Sequence, residues 1–173
     1  MKRAENAFEV LDGTVAAPER AASLADIDRL NSWFGGYALS LRAIRALATE
    51  VPRDRPLRVV DVGGGTAAFA MRVAEWARRS GRDVRVVVVD RDLTALRLAR
   101  AAVAAYPEIV LVGGDAAALP CRKRAADIVT SALTLHHLEP VQAAAGLREM
   151  TAAARIAVVV NDLLRRRLSL DLV

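Results

Sequence analysis

The sequence predicts an α/β domain with a doubly wound, mostly parallel sheet of five strands and with helices ahead of the first strand. Short apolar runs rich in valine alternate five times with segments of helical periodicity, the pattern of βαβ units joined by right-handed crossovers. The first run, residues 58–62, passes into three consecutive glycines and then into a helix-compatible segment. Glycine allows the sharpest turns at the end of a buried strand, so this stretch predicts a strand, a tight turn and a helix in succession.

Composition and charge argue against several classes of protein. The chain has 173 residues, 54% of them apolar, and no apolar run approaches the ~20 residues of a membrane span, so we expect one soluble domain without a membrane partner. The amino terminus lacks the apolar stretch of a signal peptide, which predicts a cytoplasmic protein. Cys121 is the only cysteine, which excludes an internal disulfide and a thiolate metal cluster. The net charge of +5 comes from scattered arginines and only 4% of residues are aromatic, so we expect no nucleic-acid partner.

Two helices are predicted before the sheet. Helical periodicity runs from residue 5 to residue 49, and Gly35 with Gly36 divides it, so that the second helix covers 37–48. Residues 51–56 hold two prolines and alternating charges, which predicts a linker into the sheet.

The elements after the linker follow from the same periodicities. Thr66 is the predicted N-cap of the helix after the glycines, and Ser80 with Gly81 ends that helix. Pro140 opens a later helix at a position where its lack of an N–H group costs nothing. The predicted strands are 58–61, 84–90, 109–112, 126–133 and 156–160, the helices between them are 66–80, 93–104 and 140–154, and a basic helix closes the chain.

Polar side chains follow the predicted strands at their carboxyl ends. Ligands of such sheets bind outside these ends, near the point where the strand order reverses, so these side chains form the candidate site. An acid after the second strand is placed to accept hydrogen bonds from both ribose hydroxyls, and an acid after the third to accept from the exocyclic amine of adenine. The residues are Asp61, Asp90, Asp115, Ser131, Thr134, His136 and His137. With a glycine turn before a helix N-terminus, this pattern predicts an adenosine-containing ligand.

Each of these residues also has a purely structural interpretation. Asp90 could cap the next helix, although Asp92 is better placed to do so, and Asp115 could be an ordinary turn residue. Asp61 could brace the glycine loop through backbone hydrogen bonds. The two histidines could be loop residues without a chemical role, and as adjacent residues they make a poor metal-binding pair.

Four segments together resemble a known family. In order, VVDVGGGTA, VVVVD, GDAAALP and ADIVTSALTLHHL resemble the motifs of class I S-adenosylmethionine-dependent methyltransferases over residues 56–160. The flanking LNSWFGGY and VVVNDLLRR resemble a group of bacterial small-molecule methyltransferases. The resemblance implies a Rossmann-like methyltransferase fold that binds S-adenosylmethionine and releases S-adenosylhomocysteine. We further expect the helices ahead of the sheet to form a lid at 1–50 over the cofactor, with a cofactor-binding domain at 51–173.

The resemblance gives each residue of the cofactor site a role. Asp61 and the glycines would surround the aminocarboxypropyl end of the cofactor, and Asp90 would hold its ribose. Asp115 with Ala116 would hold the adenine, and Ser131 would line the floor. The complete set is Asp61, Gly63, Gly64, Gly65, Asp90, Arg91, Asp115, Ala116 and Ser131.

Two departures from the family pattern bear on activity. Ala67 and Ala68 stand where the family usually has a third glycine and often an acid, and alanine is tolerated there if its φ is negative. The family fold also continues past the fifth strand with a helix and an antiparallel strand pair, whereas this chain stops at Val173. We therefore expect either a truncated product or another segment that covers the fifth strand, for example from a second copy in a homodimer.

The predicted reaction is methyl transfer to a small molecule, at oxygen or carbon rather than nitrogen. The protein has to align the reactants and exclude water, and a hydroxyl acceptor also needs a base, for which His136 or His137 is suited. A non-catalytic methyltransferase-like binding module is one alternative. An NAD(P)-dependent oxidoreductase is another, because Gly63, Gly65 and Ala68 also satisfy G-x-G-x-x-G/A. Against it, Asp61 stands where dehydrogenases usually have an apolar residue.

Overall fold

The strands of the computed structural model lie side by side in one parallel sheet. The structure describes residues 36–162, so the first predicted helix and the basic closing helix lie outside the described residues. The strands are β1 (Leu57–Val62), β2 (Val84–Asp90), β3 (Ile109–Gly113), β4 (Ala126–Ala132) and β5 (Ala154–Asn161). Their order is β3-β2-β1-β4-β5 and every neighbouring pair is parallel, which confirms the predicted doubly wound α/β fold.

Helices cover both faces of this sheet. They are α1 (Gly36–Leu47), α2 (Ala68–Arg79), α3 (Leu93–Ala102) and α4 (Pro140–Ala153), with 3₁₀ turns at Ala48–Glu50, Val103–Ala105 and Leu135–His137. The helices α1, α2 and α3 pack on one face and α4 packs on the other. Because the strand order reverses between β1 and β4, the carboxyl ends of these two strands form the switch point where ligands of such folds bind.

Two apolar cores lie on the two faces of the sheet. Val59 of β1 packs with Ile44 and Phe69 on one face, whereas Val62 packs with Met150 on the other. Successive residues of a strand point to opposite faces, so β1 contributes to both cores. Burial of each such side chain stabilises the fold by about 1.5–3 kcal/mol. Since Ile44 is fully buried, α1 belongs to the core of the sheet domain.

The start of α2 differs from the prediction. The helix begins at Ala68, and Ala67 occupies the N-cap position with φ 64° and no side-chain capping bond, so the prediction that Thr66 is the N-cap is wrong. The glycine turn closes with a hydrogen bond from the Ala67 N–H to the Gly64 carbonyl at 2.8 Å. The turn therefore includes Ala67, and the N-cap lies one residue later than the capping preference of Thr66 predicted. The left-handed φ of Ala67 also departs from the negative value that the sequence argument required.

The outer edge of β5 and the start of α1 lie near each other. Asn161 at the end of β5 donates a hydrogen bond from Nδ2 to the Gly36 carbonyl at 2.9 Å, which fixes α1 to the carboxyl edge of the sheet. Within residues 36–162 no strand pairs with the second edge of β5, and Val160 is 43% exposed.

In the same part of the chain, no helix combines the length and the apolar character needed to span a membrane.

Candidate active site

The glycine turn after β1 fits tightly between its neighbours. Gly63 has φ 71° and Gly65 has φ 50°, values that glycine adopts without strain. A Cβ atom on Gly63 would overlap the side chain of Thr134, and one on Gly64 would lie 2.8 Å from Asp61 Oδ2. The turn therefore needs glycine both for its backbone conformation and for its close approach to the loop after β4.

Asp61 is a buried carboxylate beside this turn. It is 2% exposed, and its Oδ2 atom has no hydrogen-bond partner among the residues that the structure describes. Burial, followed by the negative charge of Asp90, raises the pKa of the Asp61 carboxyl from 3.8 to about 7. A buried oxygen without a partner costs about 1–3 kcal/mol, and a ligand that donates a hydrogen bond or carries a positive charge would recover it.

Asp90 braces the glycine turn, the role that the sequence left open for Asp61. Its Oδ2 accepts a hydrogen bond from the Gly65 N–H at 2.8 Å, and its Oδ1 accepts one from the Asp92 N–H at 2.7 Å. Burial raises the pKa of Asp90, and these two N–H groups partly offset the rise. Asp92 caps α3 through the Thr94 N–H at 2.8 Å, as predicted. Each oxygen of Asp90 has a second lone pair, so the carboxylate can also accept from a ligand hydroxyl.

Three other predicted cofactor residues lie farther along this edge. Asp115 is exposed and accepts a hydrogen bond from the Ala117 N–H at 2.8 Å. This bond is typical of a turn, so the alternative that Asp115 is an ordinary turn residue fits the structure. The carbonyl of Ala116 lies 3.3 Å from the position that a Cβ on Gly146 of α4 would occupy. Arg91 is exposed after β2. The adenine and ribose contacts of these residues stay predictions.

Buried hydroxyls accompany Asp61 on β4 and α1. Ser131 is 1% exposed, Thr130 is fully buried and Ser40 is 2% exposed, and none of their hydroxyl oxygens has a hydrogen-bond partner within the described part of the chain. The sheet register pairs Thr130 with Asp61, so both side chains lie on the same face. Buried hydroxyls are usually hydrogen-bonded to protein groups or to ordered water, so these oxygens could accept a water molecule or a ligand. Sequence reasoning found Ser131 but missed Ser40 and Thr130, because a single hydroxyl within an apolar element carries no signal.

The loop after β4 contacts the glycine turn. Leu133 has φ 49°, an unusual value for a branched residue, and the hydroxyl of Thr134 donates to the Ala132 carbonyl at 3.0 Å. The same hydroxyl lies 3.4 Å from the Gly63 carbonyl. Strained backbone of this kind clusters at functional sites. The loop thus holds the segment that contains both histidines against the predicted cofactor site.

His136 contacts an acid that the sequence argument did not select. Its Nδ1 lies 2.5 Å from Oδ1 of Asp162, the residue directly after β5, and the ring of His137 lies 4.1 Å from the ring of His136. The other oxygen of Asp162, Oδ2, accepts from the backbone N–H groups of Leu135 at 2.8 Å and His136 at 3.2 Å. The rule that selected Asp61 and Asp90, a polar residue at a strand's carboxyl end, also applies to Asp162.

The sequence of this chain resembles known methyltransferases. A family model described as a methyltransferase domain matches residues 59–156. Demethylmenaquinone methyltransferase of Roseiflexus castenholzii is 34% identical over 103 residues, which are 60% of this chain and 40% of that protein. The chain therefore spans less than half of the length of this relative.

Solved structures show the same fold. The DszA carbon methyltransferase superposes with a TM-score of 0.70 over 90% of this chain and 44% of that chain, at 17% identity. A SAM-dependent methyltransferase from Aquifex aeolicus superposes with a TM-score of 0.56 over 71% of this chain and 65% of that chain, at 18% identity. At such low identity these similarities establish the fold alone.

Proposed function

The chain belongs to the methyltransferase domain family, and from this premise we propose that it transfers a methyl group from S-adenosylmethionine to oxygen or carbon of a small molecule. The observation that carries the proposal is Asp61, a buried carboxylate with an unpartnered oxygen among the described residues, next to a glycine turn at the switch point of the sheet. The family implies S-adenosylmethionine as the cofactor, and an oxidoreductase is disfavoured by the same family match.

The residues present fit this cofactor. The Oδ2 atom of Asp61 would accept a hydrogen bond from the ammonium group of the cofactor, and the second lone pairs of Asp90 would accept from its ribose hydroxyls. The glycine turn leads into the N-terminus of α2, where the positive end of the helix dipole favours a carboxylate. When bound, S-adenosylmethionine supplies a methyl group on a positively charged sulfur, which makes it a strong methyl donor.

His136 supplies the proton acceptor in this proposal. The small molecule that accepts the methyl group loses a proton from an O–H or acidic C–H bond to Nε2 of His136. The electron pair that this bond leaves on the small molecule then forms the new bond to the methyl carbon. With S-adenosylmethionine bound, the electron pair of the methyl–sulfur bond would remain with the sulfur of the cofactor, and the imidazolium of His136 would return its proton to water. A neutral amine attacks through its nitrogen lone pair before it loses a proton, whereas a hydroxyl or an acidic C–H group becomes a good nucleophile only by losing one. A histidine beside the cofactor site therefore supports an oxygen or carbon acceptor.

Calorimetric titration tests the cofactor assignment. We expect S-adenosylmethionine and S-adenosylhomocysteine to bind and NAD not to bind. The variant Asp90→Ala should lose about 1.5–3 kcal/mol of cofactor binding, a roughly 10- to 150-fold rise in Kd, because the lost hydrogen bonds involve a charged group. Asp83→Ala, which removes an exposed acid before β2, is the matched control and should bind like the wild type. Binding of NAD alone would favour the oxidoreductase, and no binding by folded protein would contradict the proposal.

Transfer of label from methyl-tritiated S-adenosylmethionine to catechol or acetylacetone tests turnover at oxygen or carbon. Cofactor binding without transfer to a wider panel of phenols and 1,3-dicarbonyl compounds would favour the non-catalytic module. A helical lid at residues 1–50, a cytoplasmic site and a homodimer complete the proposal. Since Ile44 of α1 is buried in the core, α1 would anchor this lid to the sheet and would not move with it. The exposed Val160 on β5 supports a second copy at that edge, and light scattering of the purified chain would test it.

A further inference from the structure

Three buried oxygen atoms lie under α1, on the face of the sheet that α1 and α2 cover. They are Oδ2 of Asp61, Oγ1 of Thr130 and Oγ of Ser40, and none has a hydrogen-bond partner among the residues that the structure describes. The exposed fractions of these residues are 2%, 0% and 2%. Buried polar atoms of folded proteins are nearly always hydrogen-bonded to protein groups or to ordered water, so each of these oxygens requires a partner.

Asp61 and Thr130 are neighbours on β1 and β4. The register pairs them, and Asp61 follows the core residue Val59 by two positions, so both side chains point to the face that α1 and α2 cover. Their outer neighbours in the same row of the sheet are Val88 of β2 and Val159 of β5. Two polar side chains therefore lie side by side, with a valine on either side of the pair.

The oxygen of Ser40 approaches this pair from α1. The helix begins at the carboxyl edge, where Asn161 Nδ2 donates to the Gly36 carbonyl at 2.9 Å, and it leads back to the start of β1. A helix rises ~1.5 Å per residue and a strand ~3.3 Å, so four residues of α1 cover about the same distance as two of a strand. Ser40 therefore lies level with Val159, two residues before the end of β5, and the register pairs Val159 with Thr130. The buried face of α1, to which Ser40 belongs, packs on β4 and β5.

We propose that Asp61, Thr130 and Ser40 together bind one buried water molecule, which links α1 to β1 and β4. Paired residues of neighbouring strands lie about 4.7–4.9 Å apart, which is too far for a direct hydrogen bond between equivalent atoms but is spanned by two hydrogen bonds through one water. A buried water typically makes about three hydrogen bonds to otherwise unpartnered polar groups, the number that these oxygens provide. Three oxygens are too few for calcium, which takes 6–8.

The water site goes beyond the proposed function and does not depend on it. The water donates to Oδ2 of Asp61 and accepts from at least one of the two hydroxyl groups. A carboxylate oxygen has two lone pairs, so Oδ2 can bind this water and still accept a hydrogen bond from a ligand. The water therefore belongs to the folded chain with or without a cofactor.

A crystal structure of the cofactor-free chain that resolves ordered water tests the site directly. We expect one water oxygen at about 2.7–3.0 Å from Oδ2 of Asp61 and from the hydroxyl oxygens of Thr130 and Ser40, and no such water when Thr130→Val and Ser40→Ala are combined. A direct hydrogen bond between Asp61 and either hydroxyl would overturn the proposal. Contacts of about 2.3–2.6 Å would identify a cation such as calcium and would overturn it as well.

Urea unfolding of double variants tests whether the two hydroxyls hold the same water. Thr130→Val and Ser40→Ala each remove one hydroxyl with little change in shape. Because loss of either one disturbs the shared water, their combined effect on the unfolding equilibrium constant should differ at least about 3-fold from the product of their separate effects.

Ser131→Ala is the matched control for this coupling. Ser131 is a buried hydroxyl of β4 that also lacks a partner within the described residues, but the register pairs it with Val62, whose side chain lies on the α4 face. The effects of Ser40→Ala and Ser131→Ala should therefore multiply. Multiplying effects for Ser40→Ala with Thr130→Val, or equal coupling in the control pair, would refute a shared water. If the chain binds no S-adenosylmethionine, the proposed function fails, whereas the crystal structure and the coupling still decide the water site.

Discussion

Replacing Asp61 with asparagine should stabilise the fold above neutral pH and weaken cofactor binding. Burial, with the charge of Asp90, raises the pKa of Asp61 from 3.8 to about 7, so the folded chain keeps a proton that the unfolded chain has already lost. The free energy of unfolding therefore falls as the pH rises through this range. At ~1.4 kcal/mol for each tenfold change in the ionisation constant, an ionised Asp61 costs the folded chain about 4 kcal/mol.

Asparagine has almost the same shape but no charge, so Asp61→Asn avoids this cost. Its gain in unfolding free energy over the wild type should be about 3 kcal/mol larger at about pH 8 than at about pH 5. Urea unfolding followed by circular dichroism at both pH values measures the difference. Asp115→Asn, which changes an exposed turn carboxylate, is the matched control and should show no such dependence. The same gain at both pH values for Asp61→Asn would refute the reasoning, as would undiminished affinity for S-adenosylmethionine.

Two further substitutions test the backbone strain and the opposite edge of the sheet. Ala67→Gly should raise the free energy of unfolding by roughly 0.2–1.2 kcal/mol, because it relieves about 1–2 kcal/mol of left-handed strain and loses one buried methyl group worth ~0.8 kcal/mol. A lower unfolding temperature would contradict this. Asp127→Ala should lower the free energy of unfolding by about 1–3 kcal/mol at neutral pH, because it leaves the Arg58 N–H without the carboxylate oxygen that accepts from it at 2.9 Å. The variant also loses the ion pair with Arg55, whose guanidinium is partly exposed and is then solvated by water. Burial alone would raise the pKa of Asp127, but the hydrogen bonds from Arg55 and from the Arg58 N–H outweigh burial and hold this pKa below its usual value. The cost of Asp127→Ala should therefore shrink as the pH falls through the lowered pKa, because the wild-type carboxylate then takes up a proton. A cost that stays constant down to strongly acidic pH would argue against the ion pair.

The elements of the fold could be predicted because each carries a local signal. The strand β2 (Val84–Asp90) is a run of valines that ends in an acid, and its predicted bounds agree with the structure. The start of α2 could not be read in the same way. Capping preferences say which side chains suit the N-cap position. Here the backbone decides that position, because the positive φ values of Gly63 and Gly65 set the length of the turn and so place Ala67 at the N-cap.

The candidate site could be predicted only in part, for a related reason. Asp61 and Asp90 each follow a strand, so topology alone brings them to the carboxyl edge. The contact between His136 and Asp162 joins residues that are 26 positions apart and follow different strands, and it depends on the register of β4 against β5. That register includes a shift between Ala126 and Ile128, which no periodicity in the sequence indicates.

The two buried aspartates on neighbouring strands show where the sheet is built for stability and where for binding. Asp127, at the start of β4, has its charge matched by Arg55 and by the Arg58 N–H at 2.9 Å. Asp61, near the end of β1, is as deeply buried, yet its Oδ2 has no partner within residues 36–162. The strained φ values of Ala67 and Leu133 lie at the same carboxyl edge as Asp61. Folding alone would favour removal of each of these features, so their concentration at one edge supports a ligand that offsets their cost when it binds.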